Sequence, residues 1–410
     1  MIDKRVVILG GGIGGLVAAY ELTKRLGGEH EVVVIDRNRE HFFSPAFLGV
    51  MLGERDPAST TLDLGRRLDR WGVSFVQAEA TGINTAETTV QTTTGEQSYD
   101  FLIIALGAEL APEAMPGFSE AAYTPYDLSG ASRLRDALHD FKGGRMVVVI
   151  SSMPFKCPAA PFETALLLED HFRRHGLRQR VEMEVYNPGA LPLGVAGAEV
   201  GHAVVGMLES KGIGFIPDAK LAEIDPSGKQ LLFSNREPVA FDFLVGIPPH
   251  QAPAVVRQAG LANEAGWVPV DSRTLRVTTA DVANVYAIGD IAFIKLANGK
   301  RLPLAGVFAH GQAQTVARRL AAQVAERTAA DEYDGMGYCW VEMGGGVAGF
   351  ASGDFYATPD PQVDLRQPSR IWRQGKVLFD KWWLGEGLTR LVAGTGLRLG
   401  SKIFGIPASL

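Results

Sequence analysis

The chain has 410 residues, 46% hydrophobic and 21% charged, with a formal net charge of −6. That length predicts two or three domains, and the composition is globular rather than disordered. The acidic balance gives no reason to expect nucleic-acid binding, and only two cysteines, Cys157 and Cys339, exclude a disulfide-stapled fold and a four-cysteine zinc site.

Val6 to Leu9 follow the polar N-terminus at once. This apolar run is too short for a signal h-region, so export by a cleaved signal is not expected. No apolar stretch reaches the roughly 18 residues of a membrane span. Arg5 to Leu9 reads as a buried strand, Leu16 to Leu26 as a helix and Glu31 to Ile35 as the next strand. Between the first two lies Gly10-Gly11-Gly12-Ile13-Gly14-Gly15, and the second strand ends at Asp36. In this strand–turn–helix–strand–acid context the G-x-G-x-x-G spacing predicts a dinucleotide site. Gly10 makes the tight turn, Gly12 lets the backbone approach a pyrophosphate, and Gly15 packs the helix on the strand. The helix N-terminus faces the phosphates, and Asp36 is placed to accept from ribose hydroxyls.

Tyr99 to Ala108 reads as a strand ending in a small-residue turn at Gly107. A second βαβ-like unit starts near Arg145, with strands over 145–150 and 182–186 and a helix over 165–174. Its strand-to-helix turn, Ser151-Ser152-Met153-Pro154-Phe155-Lys156-Cys157-Pro158, holds no glycine. Pro, Phe and Lys would block the close approach that a pyrophosphate needs, so this unit is not expected to bind a nicotinamide dinucleotide. Cys157, after Lys156 and just before the helix, is placed where a cation and a helix N-terminus favour thiolate. Glu163 follows at the start of that helix, where a carboxylate is ordinary. His171 and His175 have ligand spacing, but Arg173 and Arg174 lie between them and no third ligand is evident, so no metal site is expected. His202 and His310 could line a proton path, or be ordinary.

Val285 to Asp290 is a further strand, ending in Gly289-Asp290, and Cys339 sits in an aromatic, glycine-rich context. Residues 371–410 hold six Lys/Arg and two Asp/Glu, a local charge of +4, among Trp382, Trp383, Leu388, Leu391 and other apolar residues. A basic amphipathic tail with paired Trp suits a bilayer interface or a packed C-terminal segment.

These segments resemble the two-dinucleotide-binding flavoproteins, in their order along the chain. The resemblance implies FAD at the first unit, with Gly107 and the Gly289-Asp290 turn beside it. Lys156-Cys157-Pro158-Ala159-Ala160-Pro161-Phe162-Glu163 is similar to the Cys-Pro-x-x-Pro-x-Glu stretch of the sulfide:quinone oxidoreductases. Cys339 with Val341-Glu342 resembles their second redox cysteine, and the run from Lys376 to Leu384 their tail. The implied fold class is α/β: an FAD-binding Rossmann-like domain over 1–110 and 240–330, a second one over 111–239 carrying Cys157, and a C-terminal region over 331–410 with Cys339 and a membrane-binding tail. The implied activity oxidises sulfide to sulfane sulfur or polysulfide through a Cys157/Cys339 pair, bridged directly or through sulfur. Electrons then pass by way of FAD to a membrane quinone, whose path His202 and His310 could line; Glu163, if near the cysteines, is a candidate proton acceptor, and Lys381 could sit near the flavin's pyrimidine edge. The resemblance further implies a peripheral membrane protein, expected on the cytoplasmic side; a homo-oligomer is left open.

The chain departs from that family in one respect: 121–128 lacks the third cysteine of many members, so a three-thiol mechanism is not expected. Sulfide dehydrogenase flavoproteins that donate to cytochrome c are disfavoured because Ser44 stands where they tether FAD through cysteine. Type II NADH:quinone oxidoreductases are disfavoured by the missing second glycine loop. A redox-sensing flavoprotein is the non-enzymatic alternative.

Overall fold

The computed structural model describes residues 4–279 and 282–406. The first sheet grows from strand Arg5–Leu9, whose Val6, Val7, Ile8 and Leu9 are completely buried. A strand so uniformly apolar is covered on both faces, as in parallel sheets between helical layers. The sheet has five parallel strands in the order Val285–Ala287, Phe101–Ile104, Arg5–Leu9, Glu31–Asp36, Ser74–Gln77. Helices Ile13–Thr23 and Gly306–Val324 pack against each other and share its core. The first begins at Ile13 rather than Leu16, because Gly12 takes the extended conformation of its N-cap.

The chain runs from Arg5–Leu9 toward one edge, then re-enters on the other side with Phe101–Ile104. The crevice at such a reversal, beyond the carboxyl ends of the strands, is where open α/β sheets take ligands. Strand Val285–Ala287 is added only after a second sheet has been built, and its parallel register brings Gly289 and Asp290 to that same end.

The second sheet has four parallel strands in the order Ile213–Ile216, Val181–Tyr186, Gly144–Ile150, Phe243–Ile247. Helix Ala160–Arg174 covers it and starts at Ala160 rather than Ala165. Pro161 stands in its first turn, where a missing N–H costs nothing. The molecule is thus a two-domain Rossmann-type α/β protein.

The C-terminal region is an antiparallel sheet, Met336–Glu342, Ala348–Asp354 and Gln362–Ser369, followed by helices Arg370–Leu384 and Gly387–Phe404. Ser369 caps the first helix by accepting from the Trp372 amide, and Trp372 stacks on Phe350 at 5.0 Å. No helix among the described residues is long and apolar enough to cross a membrane.

Candidate active site

The glycine loop turns at Gly10, where φ is +102° and an added Cβ would meet the Ala105 carbonyl oxygen at 2.4 Å. At Gly15 an added Cβ would lie 1.8 Å from the Gly10 oxygen, so the helix can pack this closely only without a side chain. Gly12 is different: nothing lies within 4 Å of its virtual Cβ. Helix Ile13–Thr23 has no side-chain cap and no acid in its first turn, which leaves its first N–H groups facing that open space. Asp36 accepts from the Gly11 amide at 2.6 Å and the Asn38 amide at 2.7 Å, so the expected ribose acceptor also shapes the loop. Gly107 has φ +68° and open space about it, and Gly289 has φ +75°, its amide donating to Gln312 at 2.7 Å. Burial raises the carboxyl pKa of Asp290, opposed by the charges of Lys156 and Arg301.

The second unit docks on the first through the segment around Cys157. Lys156 bridges to Leu304, and the Cys157 amide donates to the Leu304 carbonyl at 2.7 Å, with Cys157 in a left-handed conformation of φ +53°. Glu163 is 4% exposed, and its carboxylate accepts from the Glu342 amide at 2.9 Å, tying the helix start to the Cys339 strand. Burial and the neighbouring Glu342 push its pKa up to about 8. Buried Lys376 pairs with buried Asp380 at 2.7 Å and donates to the Pro45 carbonyl at 3.2 Å. Burial works against its ammonium, but Asp380, Glu342 and Glu163 outweigh that and raise its pKa. Arg55 completes the chain by pairing with Asp380, and Arg373 holds Glu342 at 3.1 Å. A cavity of about 430 Å³ reaches Glu342, Asp380, Arg55 and Arg373.

Two expectations are corrected here. A Cys157/Cys339 redox pair is not what the structure holds. Both thiols are free, and Cys339 Sγ donates to the Trp340 carbonyl at 3.1 Å rather than meeting a second sulfur. Each is held by its own backbone, Cys157 on Leu304 and Cys339 in register with Ala351. Nor is Cys157 an activated thiolate: burial and the charge of Glu163 push its pKa up to about 12, and the Ala160 amide at the helix start offsets this only in part. Cys339 is raised well above the ordinary thiol value by burial, then by Cys157 and Glu163. The low-dielectric interior outweighs a helix N-terminus whose effect falls off within its first turn.

Residues 4–316 match the pyridine nucleotide-disulphide oxidoreductase family. The chain belongs to this family. Among relatives, it is 28% identical to a mouse mitochondrial sulfide:quinone oxidoreductase over 70% of this chain and 65% of that protein. It thus spans slightly under two thirds of that relative's length. It is 26% identical to an Aquifex aeolicus sulfide-quinone reductase over 93% of this chain and 90% of the relative. The solved sulfide:quinone oxidoreductase of Aquifex aeolicus superposes with a TM-score of 0.83 at 23% identity, covering 93% of this chain and 91% of that one. A Plasmodium falciparum NDH2 solved with NADH shares the fold at a TM-score of 0.72 and 14% identity, covering 99% of each chain.

Membership in this oxidoreductase family supports a flavin cofactor, and the residues present fit one. The unfilled space over Gly12 and the uncapped helix N-terminus make a cradle for a pyrophosphate. The candidate site also holds groups to which sequence reasoning gives no role. Lys376, Asp380, Glu342 and Arg55 come together from distant segments; the resemblance runs through Glu342 and the stretch from Lys376 to Leu384 without giving these side chains a part. Lys381, by contrast, lies exposed on the same helix as buried Lys376. Buried Tyr126 reaches the Cys157 carbonyl at 3.4 Å. His310 is buried, whereas His202 is exposed on helix Ala198–Glu209.

The tryptophans of the tail are not outward anchors. Trp382 and Trp383 are 8% and 6% exposed, and Trp383 Nε1 donates to His41 Nε2 at 2.9 Å. His41 is held neutral by burial, its pKa lowered to about 4, and its Nδ1 lies 3.0 Å from the Gly11 carbonyl. With Nε2 accepting from the indole, Nδ1 carries the proton and donates to Gly11. Helix Arg370–Leu384 is thereby bolted to the glycine loop.

Proposed function

We propose that this protein oxidises sulfide and passes the electrons through bound FAD to a membrane quinone. The observation that carries this reading is the likeness to the Aquifex sulfide-quinone reductase along nearly the whole of both chains. It is supported by the turn over 151–158, which offers no glycine for a nicotinamide pyrophosphate and is tied to Leu304 instead.

Bound FAD would supply the two-electron relay between donor and quinone. The balance needs no bridged thiols: two hydrosulfide ions join by an S–S bond, release one proton and give up two electrons, and the quinone takes two electrons and two protons. The chain's own residues would manage charge and protons. Lys376 supplies a buried positive charge that draws in an anionic sulfur nucleophile. Glu163, with a pKa near 8, takes the proton released and relays it toward Glu342 and the cavity beyond. Gly10, Gly12, Gly15, Asp36, Gly107, Gly289 and Asp290 would hold the cofactor. The outer face of helix Gly387–Phe404, with Leu388, Leu391, Val392, Leu399 and Ile403 exposed, would rest on the bilayer from which quinone arrives.

The test is an anaerobic visible spectrum of the purified flavoprotein. Sulfide is expected to bleach the flavin, NADH to leave it oxidised, and a soluble quinone to restore it after sulfide. Bleaching by NADH and not by sulfide replaces this reading with that of an NADH:quinone oxidoreductase.

A further inference from the structure

Away from the buried acid–lysine cluster, a second cavity of about 260 Å³ lies between helix Ile13–Thr23 and the two C-terminal helices. Its volume falls just under the range of about 300–1,000 Å³ usual for small-molecule sites. Tyr20, Trp71 and Trp382 give it an aromatic lining, and Lys24, Arg67, Arg390 and Arg398 give it four cationic side chains.

The charges are not balanced inside it. The one acid in the lining, Glu21, is already bonded to Lys24 at 3.1 Å and to Arg25. Glu386 is bonded to Arg70 at 2.7 Å and stands 4.0 Å from Arg67, beyond a hydrogen bond. Arg67 has a side chain only 7% exposed, and its Nη2 has no hydrogen-bond partner. The guanidinium of Arg390 lies 5.2 Å from the Trp382 ring centre. Burial lowers the pKa of Arg67, and the charge of Arg390 lowers it further, so the two guanidiniums repel each other. Buried His310 adds a second unpartnered atom, Nδ1, to the same cavity. A buried guanidinium nitrogen left without an acceptor is costly, and a native fold tolerates it where a ligand supplies the acceptor.

The surroundings say where that ligand comes from. Leu391 lines the cavity and is 63% exposed, and Leu388, Val392 and Leu399, on the same outward helix face, are 75%, 60% and 59% exposed. Trp383 lines the cavity too and is bonded through His41 to Gly11, so a side-chain pair stands between it and the glycine loop.

We propose that this cavity binds the phosphate of an anionic phospholipid, held by Arg67 and Arg390, with the acyl chains lying along the exposed apolar face of helix Gly387–Phe404. This rests on the membrane-surface reading above and deepens it: the apolar face gives contact with any bilayer, and the cavity gives preference for a negative one. An uncharged quinone brings no negative charge to set against the two guanidiniums.

The experiment uses the full flavin-loaded chain and two soluble short-chain probes, dihexanoyl phosphatidylglycerol and dihexanoyl phosphatidylcholine, by titration calorimetry. The glycerol lipid is expected to bind the more tightly, and Arg390→Gln to weaken it about fivefold, the worth of one basic residue at a membrane. Arg67→Gln is expected to do the same, and Arg390→Gln, on a C-terminal helix, keeps the test alive if the buried variant does not fold. Equal affinity for the two probes, an unchanged affinity in Arg390→Gln, binding of inorganic phosphate as tight as the lipid, or displacement of the lipid by a short-chain quinone would each overturn the site. Flotation with vesicles tests the underlying reading separately. Leu399→Glu, on the face that carries the acyl chains, should lose flotation and weaken the two soluble probes alike, keeping the preference for the glycerol lipid. If wild type ignores vesicles while the probe binds, the membrane reading falls and the cavity stands. If vesicles bind while the probe does not, the cavity falls alone.

Discussion

Gly12 and Gly15 differ in what a single methyl group would meet. At Gly15 it would strike the Gly10 carbonyl, whereas at Gly12 it would enter space that the fold leaves empty. Gly15→Ala should therefore lower both the melting temperature and the flavin content. Gly12→Ala should leave the melting temperature of the flavin-free protein near wild type and still lose flavin. The ratio of visible to ultraviolet absorbance, set beside a melting curve, checks both. Glu163 makes the second prediction at this scale. Its pKa rises from 4.5 to about 8 on folding, mainly through burial and then through Glu342. The native chain thus binds this proton more tightly than the unfolded chain does. The resulting stability is complete below about pH 4.5 and is lost as the pH climbs through about 8. Glu163→Gln, neutral throughout, should gain on wild type as the pH rises across that window, read from melting temperature against pH. Sulfide-driven flavin reduction should show an apparent pKa near 8 in wild type and lose it in the variant.

Helix Arg370–Leu384 does more than close the chain. Its Lys376 and Asp380 enter the buried site, and its Trp383 reaches His41 and through it the glycine loop. Trp383→Phe keeps most of the ring and removes the N–H, leaving buried His41 Nε2 without a donor. The expected cost is about 1–3 kcal/mol, measured as a lower urea midpoint with unchanged slope, together with easier loss of flavin on dialysis. A helix that packed independently of the nucleotide loop would show the stability loss alone. The next helix, Gly387–Phe404, presents the opposite case, with apolar side chains left outside.

Across the whole molecule, the proposed cofactor site is assembled from parts far apart in sequence. The glycine loop, the Ala105–Gly107 turn and the Gly289-Asp290 turn meet only because Val285–Ala287 returns to the first sheet after the second is complete. A ligand gripping all three should hold the native state together. At a hundredfold excess over its dissociation constant it adds about 2.7 kcal/mol. Stripping the flavin should lower the melting temperature, and restoring FAD should recover it in a concentration-dependent way. The second unit is fastened across this assembly by Lys156 and Cys157 on Leu304, so the same loss should loosen the contact between the two sheets.

Much of the frame is legible in the chain by itself. The near-continuous apolar run of Arg5–Leu9, the spacing of Gly10, Gly12 and Gly15, and the glycine-free turn before Pro161 are local patterns, governed by backbone sterics and by which faces must be covered. They determine two Rossmann-type units and a glycine loop in the first. The chemistry of the thiols was not legible, because it depends on solvation: the helix start and Lys156 favour a thiolate at Cys157, but burial and Glu163 reverse that preference. The partners of Glu163 were hidden for a similar reason, since Glu342 stands 179 residues away and Lys376 arrives on a C-terminal helix. The fate of Trp382 and Trp383 was equally undecided, as an amphipathic pattern marks an apolar face without naming what covers it. Sequence determines what is local; which groups are taken from water, and which charges face them there, is decided only when distant segments close over one another.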